Sequence, residues 1–346
     1  MFRNFVARNA NDLWLQVARA FVDIEGHWQP GRRLATQELL HVALSLSDPR
    51  QRWVFARRPA LNPAFALAEV IWILSGSEDA EFLNFWNRQL RKFAGDQPKY
   101  HGAYGHRLRH HFGFDQLARA AAALRANPDG RQVVLQIWDP SIDMPSDTGA
   151  PVAADIPCNV MSILKCRSGK LEWLQILRSN DLFLGLPHNL VQFTTLHEIL
   201  AGWIGVDVGE YLQVSDSLHV YEDHWSQIQA SVKRGASEIG RNNESLSLTQ
   251  PLSEVVFTTL DRSARLLSSG TLSQDETRNL VGRLDIPKAY QNWMLVLAAE
   301  ASRRRGWGQL AVELMVDCTN EALSYSWELW LDRVTANRPE AAAVGV

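Results

Sequence analysis

The chain reads as an α+β fold, on three observations. Residues 131–138 (RQVVLQIW) form a run rich in β-branched side chains. Two further apolar runs at 159–166 and 170–177 are parted by Arg167-Ser168-Gly169, the signature of a hairpin. The stretch PAFALAEVIWIL, from Pro63 to Leu74, is too apolar for a surface helix and predicts a buried one. With 346 residues, 46% of them hydrophobic and 21% charged, the chain can build one large core with a sizeable appendage.

Taken in order, the buried helix ends at Gly76 and contains one acid, Glu69. A carboxylate there either faces outward or is held inside by a partner for a purpose. After the strand at 131–138 comes a loop at 140–157, rich in Pro, Ser, Gly and Asp, and then the hairpin. RSNDLFLGLPHN reads as a turn into a helix, in which Leu190, Phe193, Leu196, Leu200 and Ile204 recur at spacings of three and four before Gly205. A strand-like EYLQV precedes SDSLHVYEDHW. Beyond Asn242 the pattern becomes helical, with a capping box at Ser273 and Glu276 and helices around Trp293 and Leu314. The expected division is a catalytic unit at 1–241, a helical region at 242–338 and a loose tail at 339–346.

A net charge of -3 offers no global attraction to nucleic acid or membranes, so an anionic ligand needs a local arginine cluster. Cys158, Cys166 and Cys318 lack the spacing of a metal site or a disulfide framework. No apolar run reaches the roughly 18 residues of a membrane span. The start MFRNFVARNANDLW has no signal-peptide core. A cytoplasmic protein without a metal, a membrane or a nucleic-acid partner is therefore expected.

Four features gather within a short stretch of chain. Cys158 follows a proline at the mouth of a strand; Arg178, Ser179 and Asp181 fall in the expected turn; Asn189 opens the helix; His219 and Tyr221 follow the next strand. Singly, each has a bland explanation: a packed cysteine, a solvated arginine, a helix cap. Together they describe a nucleotide site, with a thiolate, an anion clamp, an amide for a base edge and two groups for sugar hydroxyls.

RSNDLFLGLPHN closely resembles the thymidylate-synthase motif RSxDxxLGLPxN, and IPCN resembles its nucleophile motif, usually PCH. SDSLHVY resembles the family's HxY element, AEVIWILSG its glutamate-bearing helix and AYGHRLR its YGxxWR element. The resemblance spans about residues 30 to 230. It implies a mixed sheet with packed helices, a homodimer, and 5,10-methylenetetrahydrofolate as cosubstrate of a pyrimidine nucleoside monophosphate. It also implies roles: Cys158 as nucleophile, Glu69 as proton relay and Tyr104 as the group orienting a water. Arg178 and Ser179, with Arg33 and a partner subunit's counterpart of Arg131, would hold phosphate. Asn189 would read the base, His219 and Tyr221 the sugar, and Asp181 the pterin. Arginine charge near Cys158 would lower its pKa.

Several positions depart from that pattern. Asn159 stands where histidine is usual, Gln132 replaces one of two arginines, Leu108 replaces the tryptophan of YGxxWR, and Leu90 stands where a shielding tryptophan is expected. The tail RPEAAAVGV does not match the family's closing segment. Several of these changes, Leu90, Leu108 and the tail, fall on the closure that excludes water, which favours hydroxymethylation of dUMP over its methylation to dTMP. A cytosine nucleotide is the third reading, and a degenerate nucleotide-binding homologue the non-enzyme alternative.

Overall fold

The computed structural model describes residues 3–23, 28–30, 34–235 and 240–336. Arg33 and the tail 339–346 lie outside them. Six strands form one mixed sheet in the order β1-β2-β6-β5-β4-β3: β1 (Arg3–Ala7), β2 (Thr36–Leu46), β3 (Val133–Gln136), β4 (Asn159–Arg167), β5 (Lys170–Asp181) and β6 (Asp207–Tyr221). β5 runs parallel to β6 and antiparallel to β4. The β4–β5 hairpin turns through Ser168 and Gly169 at φ 49° and 74°, the left-handed pair a two-residue turn requires.

The buried helix is α2, with α1 (Ala10–Asp23) before it and α3 (Ala80–Trp86), α4 (Leu90–Ala94), α5 (Tyr104–His106) and α6 (Gln116–Ala126) after it. α2 runs Pro63–Leu74, its first turn capped by Asn62 Oδ1, which accepts from Phe65 N at 3.2 Å. Next come α7 (Pro140–Asp143), α8 (Gly185–Ile204) and α9 (Trp225–Arg234). α8 ends at Gly205 in the left-handed region.

Helices α10 (Gln250–Ser269), α11 (Gln274–Gly282), α12 (Lys288–Arg304), α13 (Gly308–Val316) and α14 (Glu321–Ala336) follow. The Ser273–Glu276 capping box opens α11. α2 is apolar on all sides because α8 packs on one flank and α10 and α12 on another. Polar ties fasten this layer: Arg333 donates to Ala60 O at 2.6 Å, Arg109 to Glu254 at 2.6 Å, and Tyr290 OH to Leu246 O at 2.7 Å. Fully buried Glu300 is satisfied by Arg303, Arg304 and the Trp330 indole. No helix among the described residues is long and apolar enough to cross a membrane.

Three expected boundaries are corrected. Arg178, Ser179 and Asp181 are the last part of β5 rather than a turn, because their backbone keeps pairing with β6, Ser179 with Ser217 and Asp181 with His219. His219 and Tyr221 end β6 rather than follow it, paired with Glu38 and Thr36 of β2. α8 starts at Gly185, so Asn189 sits inside its first turns.

Candidate active site

A change of face runs across three strands and creates the ledge of the site. Leu39 and Val42 of β2 are both buried, with exposed Leu40 and His41 between them; His41 has φ 55°. In β6, Ser215 and Leu218 are buried around Asp216 and Ser217; in β5, Leu177 and Asn180 are buried around Arg178 and Ser179. Leu40 pairs with Ser217 and Ser217 with Ser179, so the switch lies in one row. Past that row Ser179, Asp181, His219 and Tyr221 all take half-exposed positions. The His219 and Tyr221 rings meet edge to face at 5.1 Å.

Cys158 immediately precedes β4, and its carbonyl accepts from Arg178 N at 3.0 Å. The Arg178 guanidinium donates to Pro157 O at 2.9 Å and Ile156 O at 3.1 Å, and lies 5.3 Å from the Trp138 ring. It braces the strand on which the thiol sits while remaining exposed. Burial pushes the Cys158 thiol above its ordinary range; Arg178 opposes this, while Asp155 and Asp181 add to it. The expected lowering is therefore not achieved in the free protein, since the exposed guanidinium does not outweigh desolvation. Burial also raises Tyr104, whose phenol bonds the Asn159 side chain and feels Cys158, Asp155 and Glu69 electrostatically.

A buried amide chain runs from Asn159, the residue after Cys158, to Asn189 and beyond. Gln175 Nε2 donates to Asn159 Oδ1 (2.9 Å), Asn159 Nδ2 to Asn189 Oδ1 (3.2 Å), Asn189 Nδ2 to Asn180 Oδ1 (3.1 Å), and Asn180 Nδ2 to Ser215 Oγ (3.2 Å). Trp173 Nε1 and Ser162 Oγ anchor the far end on Gln175 Oε1. These bonds orient the Asn189 amide and leave it one N–H and one lone pair.

Glu69, on α2, meets His188 in the first turns of α8: His188 Nδ1 lies 3.0 Å from Glu69 Oε2, both side chains mostly covered. Tyr104 opens α5, which is packed hard on α2: a Cβ at Gly105 would lie 2.4 Å from Ile73 O, so only glycine fits. The loop before α5 is fixed by buried Asp143, which accepts from Arg107 at 3.0 and 3.1 Å and lies 2.7 Å from His101 Nε2. Asp181 Oδ1 accepts from Phe183 N (2.7 Å) and Leu184 N (3.1 Å), so the carboxylate also shapes the turn into α8. Arg57, pushed down to about 9 chiefly by burial, donates to Phe183 O at 2.6 Å and covers that ring. Trp14 Nε1 donates to Leu182 O at 2.8 Å and holds the same turn.

Cys158, Arg178 and Asn189 are thus linked by hydrogen bonds, with Tyr104 and Glu69 beside them. Ser179, Asp181, His219 and Tyr221 line the ledge. Arg131 is apart from these, exposed just before edge strand β3, and Arg33 is outside the described residues. Leu108 is fully buried and Leu90 half-buried on α4. Sequence reasoning passed over His188, Asp155 and the amides Gln175 and Asn180. Gln175 left one signal, a polar residue sharing the buried parity of Leu171, Trp173 and Leu177. His188 and Asp155 left none, since their partners are distant in sequence. Burial raises the Asp155 carboxyl despite a bond from Gly102 N at 3.0 Å.

The thymidylate synthase family model matches residues 54–255. Among curated relatives, a deoxyuridylate hydroxymethyltransferase of Bacillus phage SP01 is 36% identical over 59% of this chain and 55% of its own. One of Pseudomonas phage M6 is 38% identical over 51% of this chain and 49% of its own. A thymidylate synthase of Francisella philomiragia is 29% identical over 48% of this chain and 64% of its own. The chain spans about half the length of the two phage relatives. With a fold of the same α+β type and the family model covering more than half its residues, this chain belongs to the thymidylate synthase family.

Proposed function

We propose that this protein transfers a one-carbon unit from 5,10-methylenetetrahydrofolate to carbon 5 of dUMP and releases 5-hydroxymethyl-dUMP. The observation that carries the reading is the hydrogen-bonded connection from Cys158 through Asn159 to Asn189. It sets a nucleophile and a base-edge amide at a fixed separation. Cys158 adds to carbon 6 of the ring, which makes carbon 5 nucleophilic. The free N–H of Asn189 suits the carbonyl at carbon 4 of uracil, and its free lone pair suits the ring N–H. Cytosine would present the opposite pattern at carbon 4.

Arg178 and Ser179 are assigned to phosphate, with Arg33 and a partner subunit's counterpart of Arg131 as further donors; His219 and Tyr221 are assigned to the sugar. Glu69 relays protons, Tyr104 as a neutral phenol orients water, and Asp181 faces the pterin. Burial holds the Cys158 thiol up, so we assign its activation to the addition step itself, in which the ring accepts electrons as the thiol loses its proton. Residues 242–338 are read as an appended helical region that buttresses α2 and thereby Glu69.

A homodimer is supported by an apolar sheet face that no helix among the described residues covers: Ile163 pairs with Leu174 and Leu174 with Leu212, all on the partly exposed side with Met161, Ile176 and Val214. Exposed Arg131 at the sheet edge suits donation across such an interface.

The preference for hydroxymethylation rests on the two phage relatives named for it and on Leu90 and Leu108. With dUMP and methylenetetrahydrofolate, nucleotide product should accumulate without the absorbance rise of dihydrofolate. Stoichiometric dihydrofolate with dTMP would instead establish methylation, the second reading, which is supported by the thymidylate synthase relatives.

A further inference from the structure

We infer that His188 is a positioning and proton-sharing partner of Glu69 that governs water addition in the second half of the reaction. The inference rests on the hydroxymethylase reading. Glu69 Oε2 and His188 Nδ1 approach to 3.0 Å, and neither atom makes a directed hydrogen bond, to the other or to any further group, among the described residues. The imidazole cannot swing freely, because the Phe65 ring meets it at 5.1 Å in an edge contact. Both elements that carry the pair are rigid: α2 is enclosed on all sides, and α8 is fixed one residue on by the Asn189 amide bonds. A carboxylate and an imidazole 3.0 Å apart, with no other hydrogen-bond partner for either atom among the described residues, form a unit able to take up one proton and pass it between them after a small rotation of either group. Glu69 and Cys158 both lie within electrostatic range of the Tyr104 phenol.

The step is balanced without an oxidant or reductant. When the folate has left, carbon 5 carries an exocyclic methylene and carbon 6 carries the Cys158 sulfur. The water oxygen bonds to the methylene carbon, the π pair moves to the carbon 4 oxygen as an enolate, and the water proton goes to the Glu69–His188 pair. The enolate then reforms the double bond between carbons 5 and 6 and expels Cys158 as thiolate. His188 takes up the proton that Glu69 receives and keeps the carboxylate directed at the cleft. Without it, Glu69 must act alone and loses the imidazole that lies 3.0 Å from Oε2.

His188→Phe and His188→Gln separate this role from mere packing. The wild-type product is identified first; dTMP there would defeat the hydroxymethylase reading itself and this inference with it. With 5-tritiated dUMP, tritium release in a single turnover reports loss of the carbon 5 proton, before water addition. It should change less than about threefold in either variant, whereas formation of 5-hydroxymethyl-dUMP should fall by about a hundredfold, the usual size of a lost acid–base contribution. Added 2-mercaptoethanol should then capture the stalled methylene as a thioether. His188→Gln keeps a hydrogen-bonding side chain of similar reach but cannot share a proton, so it should show the same split if His188→Phe does not fold. Equal loss of tritium release and product, or unchanged hydroxymethyl formation in the folded variants, would overturn the inference.

Discussion

The ledge of the site and the C-terminal helical layer are built on opposite principles. Along β4, β5, β6 and the start of α8, buried polar side chains are joined to one another: Asn159, Asn189, Asn180, Gln175 and Ser215 form one chain of amide and hydroxyl bonds. Across α12 most of the buried residues are apolar; of the polar exceptions, Asn292 and Glu300 are tied towards its two ends, while the Ser302 hydroxyl has no hydrogen-bond partner among the described residues. A satisfied polar network fixes directions, which a reactive thiol and a base-reading amide need. An apolar layer fixes only position, which is what α2 needs behind Glu69. Changes to the first region should alter chemistry with little loss of stability; changes to the second should do the reverse.

The largest effect is expected at the thiol. Cys158→Ser should lower turnover on the order of a thousandfold or more while nucleotide binding persists, since no other group supplies the covalent step. Binding measured by calorimetry, beside a turnover assay, separates the two. Asn189→Asp should invert base preference from uracil toward cytosine nucleotides, read as the ratio of kcat/KM for dUMP and dCMP. An active variant with unchanged preference would remove Asn189 from base reading.

Arg178→Ala should lower kcat/KM for the nucleotide by about tenfold to a hundredfold, the equivalent of about 1.5–3 kcal/mol for a charge-assisted bond. It should also move the pH dependence of Cys158 alkylation. The thiol is already raised, so in the wild type alkylation should keep climbing with pH beyond the ordinary cysteine range. Arg178 opposes the rise, so its loss should displace that climb further upward; a downward displacement would contradict the assigned electrostatics.

In the other region, Leu297→Ala removes a fully buried side chain from α12 and should cost about 2–5 kcal/mol of stability. Chemical denaturation should register that loss while kcat of the folded fraction stays near wild type. A large fall in kcat in fully folded protein would erase the distinction between the two regions.

The legible and illegible parts of the molecule divide along the same line. Local signals carried the hairpin, with its Ser168-Gly169 turn, and α2, apolar from Pro63 to Leu74 except for Glu69. They also carried the capping box of α11 and the end of α8 at Gly205. What they could not carry was pairing between distant segments. Arg178-Ser179-Asn180-Asp181 has a turn's composition, and only its pairing with β6 keeps it extended. The thiol's pKa was misjudged for a related reason: proximity to an arginine is readable, but burial is not. Glu69 was legible as an acid inside an apolar helix, whereas His188, its partner across the site, looked like any residue between two motif positions.

The most direct test of the proposed chemistry is incubation with dUMP and methylenetetrahydrofolate in water enriched in oxygen-18, with mass spectrometry of the nucleotide product. Incorporation of one heavy oxygen into a 5-hydroxymethyl nucleotide, with tetrahydrofolate as coproduct and no product from Cys158→Ser, is the expected result. An unlabelled dTMP accompanied by dihydrofolate would contradict hydroxymethylation by this protein.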